Sequence, residues 1–140
     1  MQVSIFGPLD QLLAVETGIG DVLVVEAILF VLVIANFATR HRAHSTHVSQ
    51  ADEGPEAVSR YLPHEVSNVV VLLVSFYYMT VDYHPGMVMS VLVLGMFLAD
   101  FFEFEARKVE ARRDIAIERP KGALVASLLV FTYAAYQTLF

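Results

Sequence analysis

Two carboxylates stand inside strongly apolar stretches of the sequence, where an ionised side chain needs a polar partner. Glu26 lies four residues into the apolar segment 22–38, and Asp100 lies near the end of the segment 87–102. Because an acid at the centre of a membrane helix costs about 2.5–3.5 kcal/mol to insert, such groups usually face protein or water. Two interpretations are open for Glu26. It is either a partly solvated acid held by a tyrosine hydroxyl or a carboxylate that binds a proton or cation.

Asp100 is expected to meet polar side chains of the two preceding apolar segments at the same depth. Arg40 or Arg60, just outside those segments, would neutralise it. We therefore predict a polar clamp that joins helices and sets their register. Its expected members are Asn36, Ser67, Asn68 and Asp100.

The histidines carry the other potential chemistry. His41, His44 and His47 are spaced three residues apart, and acids at positions 52, 53 and 56 follow them. This spacing is not a standard zinc signature, so solvated or interfacial histidines are favoured over a metal site. All five histidines lie outside the apolar segments, which argues against a buried bis-histidine haem.

Other chemistry is excluded by residue type. The chain has no cysteine, which removes disulfides, thiolate metal sites and cysteine nucleophiles. It also lacks the phosphate-binding, dinucleotide-binding and serine-hydrolase motifs. We therefore expect no catalytic residue, no cofactor, no metal and no nucleic-acid partner.

The elements that carry these residues are apolar blocks of helical length. Of the 140 residues 56% are hydrophobic, and the mean hydropathy is +0.59. Four blocks of about 16–18 residues, at 22–38, 66–81, 87–102 and 123–140, would each span roughly 24–27 Å as helices. They show no polar stripe of the kind that a soluble bundle keeps. The sequence predicts an all-α integral membrane protein, a single domain over 1–140 with a four-transmembrane-helix bundle.

The basic residues indicate how the chain is threaded. All nine Lys and Arg fall in the segments 39–65 and 103–121, which are predicted as cytoplasmic loops. Both termini are then outside, and the first block is an uncleaved anchor. Pro63 and Pro120 suit the first turns of the second and fourth spans, 82–86 reads as a tight outer turn, and 6–15 as a short interfacial helix.

The stretch "FFEFEARKVEARRD" (101–114) indicates that the third helix continues into the cytoplasm. We predict one helix from about Met87 to about Ile115, with Phe101 and Phe104 at the membrane interface. Glu and Arg spaced three or four residues apart support an exposed helix. The charged face is either simply solvated or a docking surface for a partner. The docking candidates are Glu103, Arg107, Glu110 and Arg113.

Three stretches are similar to a known family. "SFYYMTV", "GMVMSVLVLGMFLADFFEFEARKVEARRD" and "ERPKGALVASLLVFTYAAYQTLF" resemble small haloarchaeal multi-pass membrane proteins of unknown function. The resemblance implies an archaeal cell membrane and supplies no site residue. An excess of 15 acids over 9 bases, with a pI near 5.2, is compatible with a salt-rich cytoplasm.

These features favour a non-catalytic accessory or organising subunit of a membrane complex. Its partners would be the lipid bilayer and other membrane subunits or copies of itself. The alternative is a small proton- or cation-coupled transporter that uses Glu26, since four short helices resemble the small multidrug-resistance family. The one-sided basic residues and the absence of tryptophan depart from that family. A membrane enzyme is a third possibility without a defined constellation.

Overall fold

The computed structural model describes residues 7–18, 22–117, 119 and 121–139. Apart from one isolated bridge between Glu16 and Leu23, regular structure in these ranges is helical. Four of the helices are long and apolar enough to cross a membrane, which confirms the predicted helical class. In chain order the elements are α1 (Pro8–Leu13), α2 (Val24–Glu53), a 3₁₀ turn (Pro55–Ala57), α3 (Leu62–Val81), α4 (Tyr83–Arg112) and α5 (Lys121–Leu139).

The four long helices form a bundle in which α2 and α4 each pack against both α3 and α5. The core between them is aliphatic, with Leu29, Val71, Val93 and Val130 almost completely buried. The outward faces are apolar as well. Exposed outward residues include Val31, Leu73, Val91 and Leu128. A helix that is apolar on every face is typical of a membrane environment, and the four helices suggest a membrane protein.

Two helices extend beyond their apolar segments. α2 continues to Glu53, although residues 39–65 were predicted as a loop. The helix persists because residues 39–53 contain neither Gly nor Pro, and it ends where Gly54 adopts a φ of 134°. α4 runs unbroken through the predicted exit point at Phe102, which confirms one continuous third helix. We call the end of the bundle that carries Arg40, Arg60 and Arg107 the basic end.

The connection between α3 and α4 is tighter than predicted. Asp82 is the only residue between the two helices, so most of the expected turn at 82–86 is the first turn of α4. The helices approach so closely there that a Cβ atom on Gly86 would overlap the backbone of Met79 and Tyr78. Glycine is therefore required at this position by backbone contact.

The segment before α2 folds back over the end of the bundle opposite the basic end. Val24 N–H donates to the Val15 carbonyl at 2.8 Å, and the Tyr77 hydroxyl donates to Asp10 of α1 at 2.6 Å. The short helix predicted at 6–15 is present as α1, with Phe6 outside the described residues. Pro63 lies in the first turn of α3 as predicted, whereas Pro120 is also outside the described residues.

Candidate functional site

The central polar contact of the bundle is a buried ion pair between α2 and α4. Arg40 Nε donates to Asp100 Oδ1 at 3.0 Å, and Arg40 Nη2 donates to Asp100 Oδ2 at 2.7 Å. The two side chains are only 3% and 10% exposed. A guanidinium and a carboxylate joined by two parallel hydrogen bonds form the strongest and most directional kind of side-chain pair.

Two asparagines complete a closed ring of hydrogen bonds, which we call the clamp (Asn36, Arg40, Asn68 and Asp100). Arg40 Nη2 also donates to Asn36 Oδ1 at 2.7 Å, and Asn36 Nδ2 donates to Asn68 Oδ1 at 2.9 Å. Asn68 Nδ2 returns to Asp100 Oδ2 at 3.0 Å. The ring joins α2, α3 and α4. The structure thus brings together the two asparagines predicted beside Asp100, and Arg40 is the base that neutralises it.

Ser67 and His64 lie at the edge of the clamp. Asn36 Nδ2 also donates to Ser67 Oγ at 2.9 Å, as the depth argument predicted. His64 was not anticipated, yet it is buried, with Nε2 3.1 Å from Asp100 Oδ2 and Nδ1 2.8 Å from Thr39 Oγ1. Because a carboxylate only accepts, Nε2 carries a hydrogen. The available signal was spacing, since His64 lies four residues before Asn68 on the same face of α3.

The three histidines of α2 do not converge on one point. His41 is exposed, His44 is half-buried and His47 is buried. The expectation that all three are solvated or interfacial is therefore wrong for His47, because the helical extension of α2 turns that side chain toward α4. Within the described ranges no group of three His, Asp or Glu side chains is placed to hold a metal ion.

His47 instead joins Arg107 and the segment before α3. Its Nε2 lies 2.8 Å from the Ser59 carbonyl, and its Nδ1 lies 2.9 Å from Arg107 Nη1. Since a carbonyl only accepts and a guanidinium only donates, the ring is neutral with its hydrogen on Nε2. His47 lies beyond the apolar segment that ends at 38. Burial and the charge of Arg107 lower the pKa of His47 to about 4, so the ring stays neutral at ordinary pH.

The extensions of α2 and α4, with the segment 54–60 packed against both, form a unit that we call the stalk (residues 41–60 and 103–113). Val58, Phe104 and Ala111 make a small apolar cluster inside it. The His47 and Phe104 rings lie 5.1 Å apart, and the Arg60 guanidinium lies 4.4 Å from the centre of the Phe104 ring. Phe104 is thus buried in the stalk and is not the interfacial side chain that was predicted.

The predicted docking residues differ in accessibility. Arg107 is buried, so it is withdrawn as a docking residue: its helical face points at α2, where His47 accepts its hydrogen bond. Glu103 and Glu110 are half-buried, and Arg113 is exposed. Glu103 lies close to Gly122 of α5. The described salt bridges of this part of α4 run through Glu105, which lies 3.2 Å from Lys108 and 3.4 Å from Arg60.

Glu26 lies at the opposite end of the bundle and has both carboxylate oxygens occupied. Tyr78 O–H donates to Oε2 at 2.5 Å, and the backbone N–H of Leu23 donates to Oε1 at 2.8 Å. Glu26 is only 8% exposed, so the partial solvation in the first interpretation is wrong, whereas the tyrosine hydroxyl that it named is present as Tyr78. It stands in the first turn of α2, where a carboxylate caps free backbone N–H groups and interacts favourably with the helix dipole.

Residues 1–140 match a family described as Domain of unknown function (DUF7313). The chain belongs to this family. No curated protein and no solved structure matches it significantly. Family membership agrees with the expected uncharacterised class, so what this DUF7313 protein does has to be argued from its geometry.

The hydrogen bond from Tyr78 to Glu26 should contribute to the stability of this DUF7313 protein. Tyr78→Phe removes the donor to a buried carboxylate oxygen, so we expect a loss of about 1–3 kcal/mol in the free energy of unfolding. Glu26→Gln should be milder, because the amide can accept from Leu23 and donate to the Tyr78 oxygen. Unfolding titrations in detergent measure both, with Tyr136→Phe as the control because Tyr136 is 60% exposed.

The same variants separate the two interpretations of Glu26. In reconstituted vesicles, Glu26→Gln should leave proton flux unchanged if the carboxylate is a structural anchor. A proton-linked flux that wild type carries and Glu26→Gln loses, with folding intact, would establish the transporter alternative instead.

Proposed function

We propose that the protein is a non-catalytic, multi-pass subunit of the cell membrane that organises a complex by presenting its stalk to a cytoplasmic protein. In this arrangement both termini are outside and the basic end is inside. The concentration of all nine Lys and Arg in two segments supports the orientation, because basic loops are retained in the cytoplasm.

The stalk is the observation that carries the proposal. α2 runs 15 residues beyond position 38, and α4 runs 10 residues beyond position 102. At about 1.5 Å per residue these extensions project roughly 22 and 15 Å past the apolar segments. They are held together by their own apolar cluster and by the His47–Arg107 contact. A surface that is rigid before binding loses little conformational entropy on association, which favours a docking role.

The tip of the stalk is fixed as well. The Gln50 side chain accepts from Ser59 N–H at 3.1 Å and lies 3.3 Å from Ser59 Oγ, which ties the chain after the 3₁₀ turn back to α2. A cleft of about 270 Å³ opens there between α2 and the end of α4. Val48, Asp52, Ala111 and Asp114 are among the residues that line it. Arg113, the exposed docking candidate, is adjacent to Asp114 in the chain.

The intramembrane acids support a structural role over transport. Asp100 is held by Arg40 and Asn68 of two other helices, and Glu26 is held by Tyr78 of α3 while it also caps its own helix at Leu23. A coupling carboxylate has to exchange its proton or ion during the cycle. Here such an exchange would break the contacts that connect the helices.

We also infer that the membrane belongs to a salt-adapted archaeon. The support is the resemblance carried by the last two-thirds of the chain, together with a net charge of −6 and a basic complement made mostly of arginine. Stability that increases between 0.5 and 3 M KCl would agree with this inference.

Site-specific photo-crosslinking tests the docking proposal. A benzophenone amino acid at Val109 of α4 or at Arg113, the residue after α4, should crosslink a second polypeptide in intact cells, since both positions are exposed. The same probe at Tyr83, which is 68% exposed at the opposite end, is the matched control and should give no such product.

Mass spectrometry of the crosslinked band identifies the partner and separates another protein from a second copy of this chain. The proposal fails if the stalk positions give no product above the Tyr83 background and the natively purified protein has the mass of one chain.

A further inference from the structure

A small cleft at the basic end lies between α2 and the beginning of α5. Its volume is about 60 Å³. A single water needs roughly 10–15 Å³ measured in this way, so the cleft has room for a group of several heavy atoms. Its lining residues are Phe37, Arg40, His41, His44, Arg119 and Leu124.

Two buried nitrogen atoms of these lining residues have no hydrogen-bond partner within the described part of the chain. They are Arg40 Nη1 and His44 Nδ1. Arg40 is 2% exposed, so its side chain is almost completely removed from bulk solvent. A buried N–H without an acceptor costs about 1–3 kcal/mol, which indicates that an acceptor belongs at this place.

The geometry of the guanidinium directs the free nitrogen into the cleft. Nε and Nη2 both donate to Asp100 on α4. Because the group is planar, Nη1 lies on the side away from that carboxylate, and Arg40 is one of the residues that line the cleft. The clamp therefore occupies Nε and Nη2 of the guanidinium, and Nη1 remains available to a second acceptor.

The charges around the cleft select an anion. Arg119 is exposed, and none of the described salt bridges includes it. Of the nearby acids, Asp100 is paired with Arg40 through Nε and Nη2, and Glu110 of α4 has an electrostatic interaction with His44. Among the residues that the structure describes, the cleft wall contributes two arginines and two histidines and no acid. Arginine is well suited to bind phosphate oxygens, since its donors lie in a fixed plane.

We propose that this cleft binds a phosphate group, with Arg40 Nη1, His44 Nδ1 and Arg119 as its donors. In this site His44 is the tautomer that carries its hydrogen on Nδ1. Phe37 lies in the last turn of the apolar segment of α2, so the cleft stands at the depth of phospholipid phosphates if the helices cross a membrane. The phosphate then belongs either to a lipid headgroup or to a free phosphate ion.

A phosphate here would connect α5 to the clamp. The hydrogen bonds described for the clamp join α2, α3 and α4, and those from α5 to other helices lie near Glu26 and Tyr78 at the opposite end. A ligand between Arg40 and Arg119 would bridge the clamp to the residues that lead into α5. The proposal of a phosphate site does not depend on the docking role proposed for the stalk, although the two share residues of α2.

The test uses the purified full-length protein, delipidated in a neutral detergent. Binding of sodium phosphate and of a phosphatidylglycerol is measured separately, at constant ionic strength, by native mass spectrometry and by the shift in thermal unfolding. Arg119→Gln and His44→Leu are the site variants, because both leave the clamp intact. Arg113→Gln is the matched control, since Arg113 is an exposed arginine of the stalk.

We expect wild type and Arg113→Gln to bind at least one of the two ligands, with Arg119→Gln and His44→Leu weakening that binding about tenfold or more. If the two site substitutions weaken only the binding of phosphatidylglycerol, the ligand is a lipid headgroup. If they weaken the binding of inorganic phosphate, the ligand is the free ion. Binding that is absent in wild type, or equal in wild type and both site variants, overturns the proposal. Unfolding midpoints without ligand show that the variants remain folded.

Discussion

Replacing Arg40 with methionine should lower the free energy of unfolding by about 3–5 kcal/mol, since it leaves the Asp100 carboxylate buried without its counter-charge. Arg40 supplies two of the hydrogen bonds to Asp100 and one to Asn36, so the substitution opens the clamp at two points. Reversible unfolding in mixed micelles, followed by circular dichroism, measures the loss.

Two further variants test whether the effect of Arg40→Met comes from the loss of its ion pair with Asp100. Arg42→Met removes an exposed arginine two residues along the same helix and should change stability by less than about 0.5 kcal/mol. The double variant Arg40→Met/Asp100→Leu should recover part of the loss, because no unpaired charge remains. If Arg40→Met is as mild as Arg42→Met, the ion pair does not hold the bundle together.

Gly86→Ala should be nearly as damaging, although it adds one methyl group. The new Cβ atom would overlap the backbone of Met79 and Tyr78, and backbone atoms cannot rotate away as a side chain can. α3 and α4 would have to separate at the turn where Asp82 alone connects them. We expect a loss of at least about 2–3 kcal/mol in the same unfolding measurement.

Gly95→Ala is the matched control for this second prediction. Gly95 lies in the same helix, and an added Cβ atom there meets no other atom within 4 Å. Alanine is the better helix former by about 0.5–1 kcal/mol, so this substitution should be neutral or stabilising. Equal effects of the two substitutions would mean that α3 and α4 do not pack closely at Gly86.

The helices and the clamp follow from the sequence because both depend on regular geometry. Helical rise fixes how deep a residue lies in its apolar segment. Counting residues along each apolar segment therefore predicted that Asn36 and Asn68 lie at the same depth as Asp100. The unbroken course of α4 followed from the absence of Gly and Pro between Met96 and Arg119.

What the sequence did not predict depends on packing beyond the apolar segments. His47, His64 and Arg107 have the residue types of a solvated loop, but each is buried against a neighbouring helix. The burial of Glu26 likewise depends on contacts with other helices, since Tyr78 of α3 donates to its carboxylate and Thr138 of α5 lies 3.4 Å from its backbone carbonyl. Periodicity within one segment carries no information about such contacts between segments.

The most direct test of the proposed organising role is the side of the membrane on which the stalk lies. The chain has no cysteine, so single cysteines at Ser49, Arg112 and His84, all exposed positions, can be labelled with a membrane-impermeant maleimide. We predict that His84→Cys reacts on intact cells, whereas Ser49→Cys and Arg112→Cys react only after lysis. Labelling of Ser49→Cys and Arg112→Cys on intact cells, with His84→Cys protected, would place the stalk outside and contradict the proposed role.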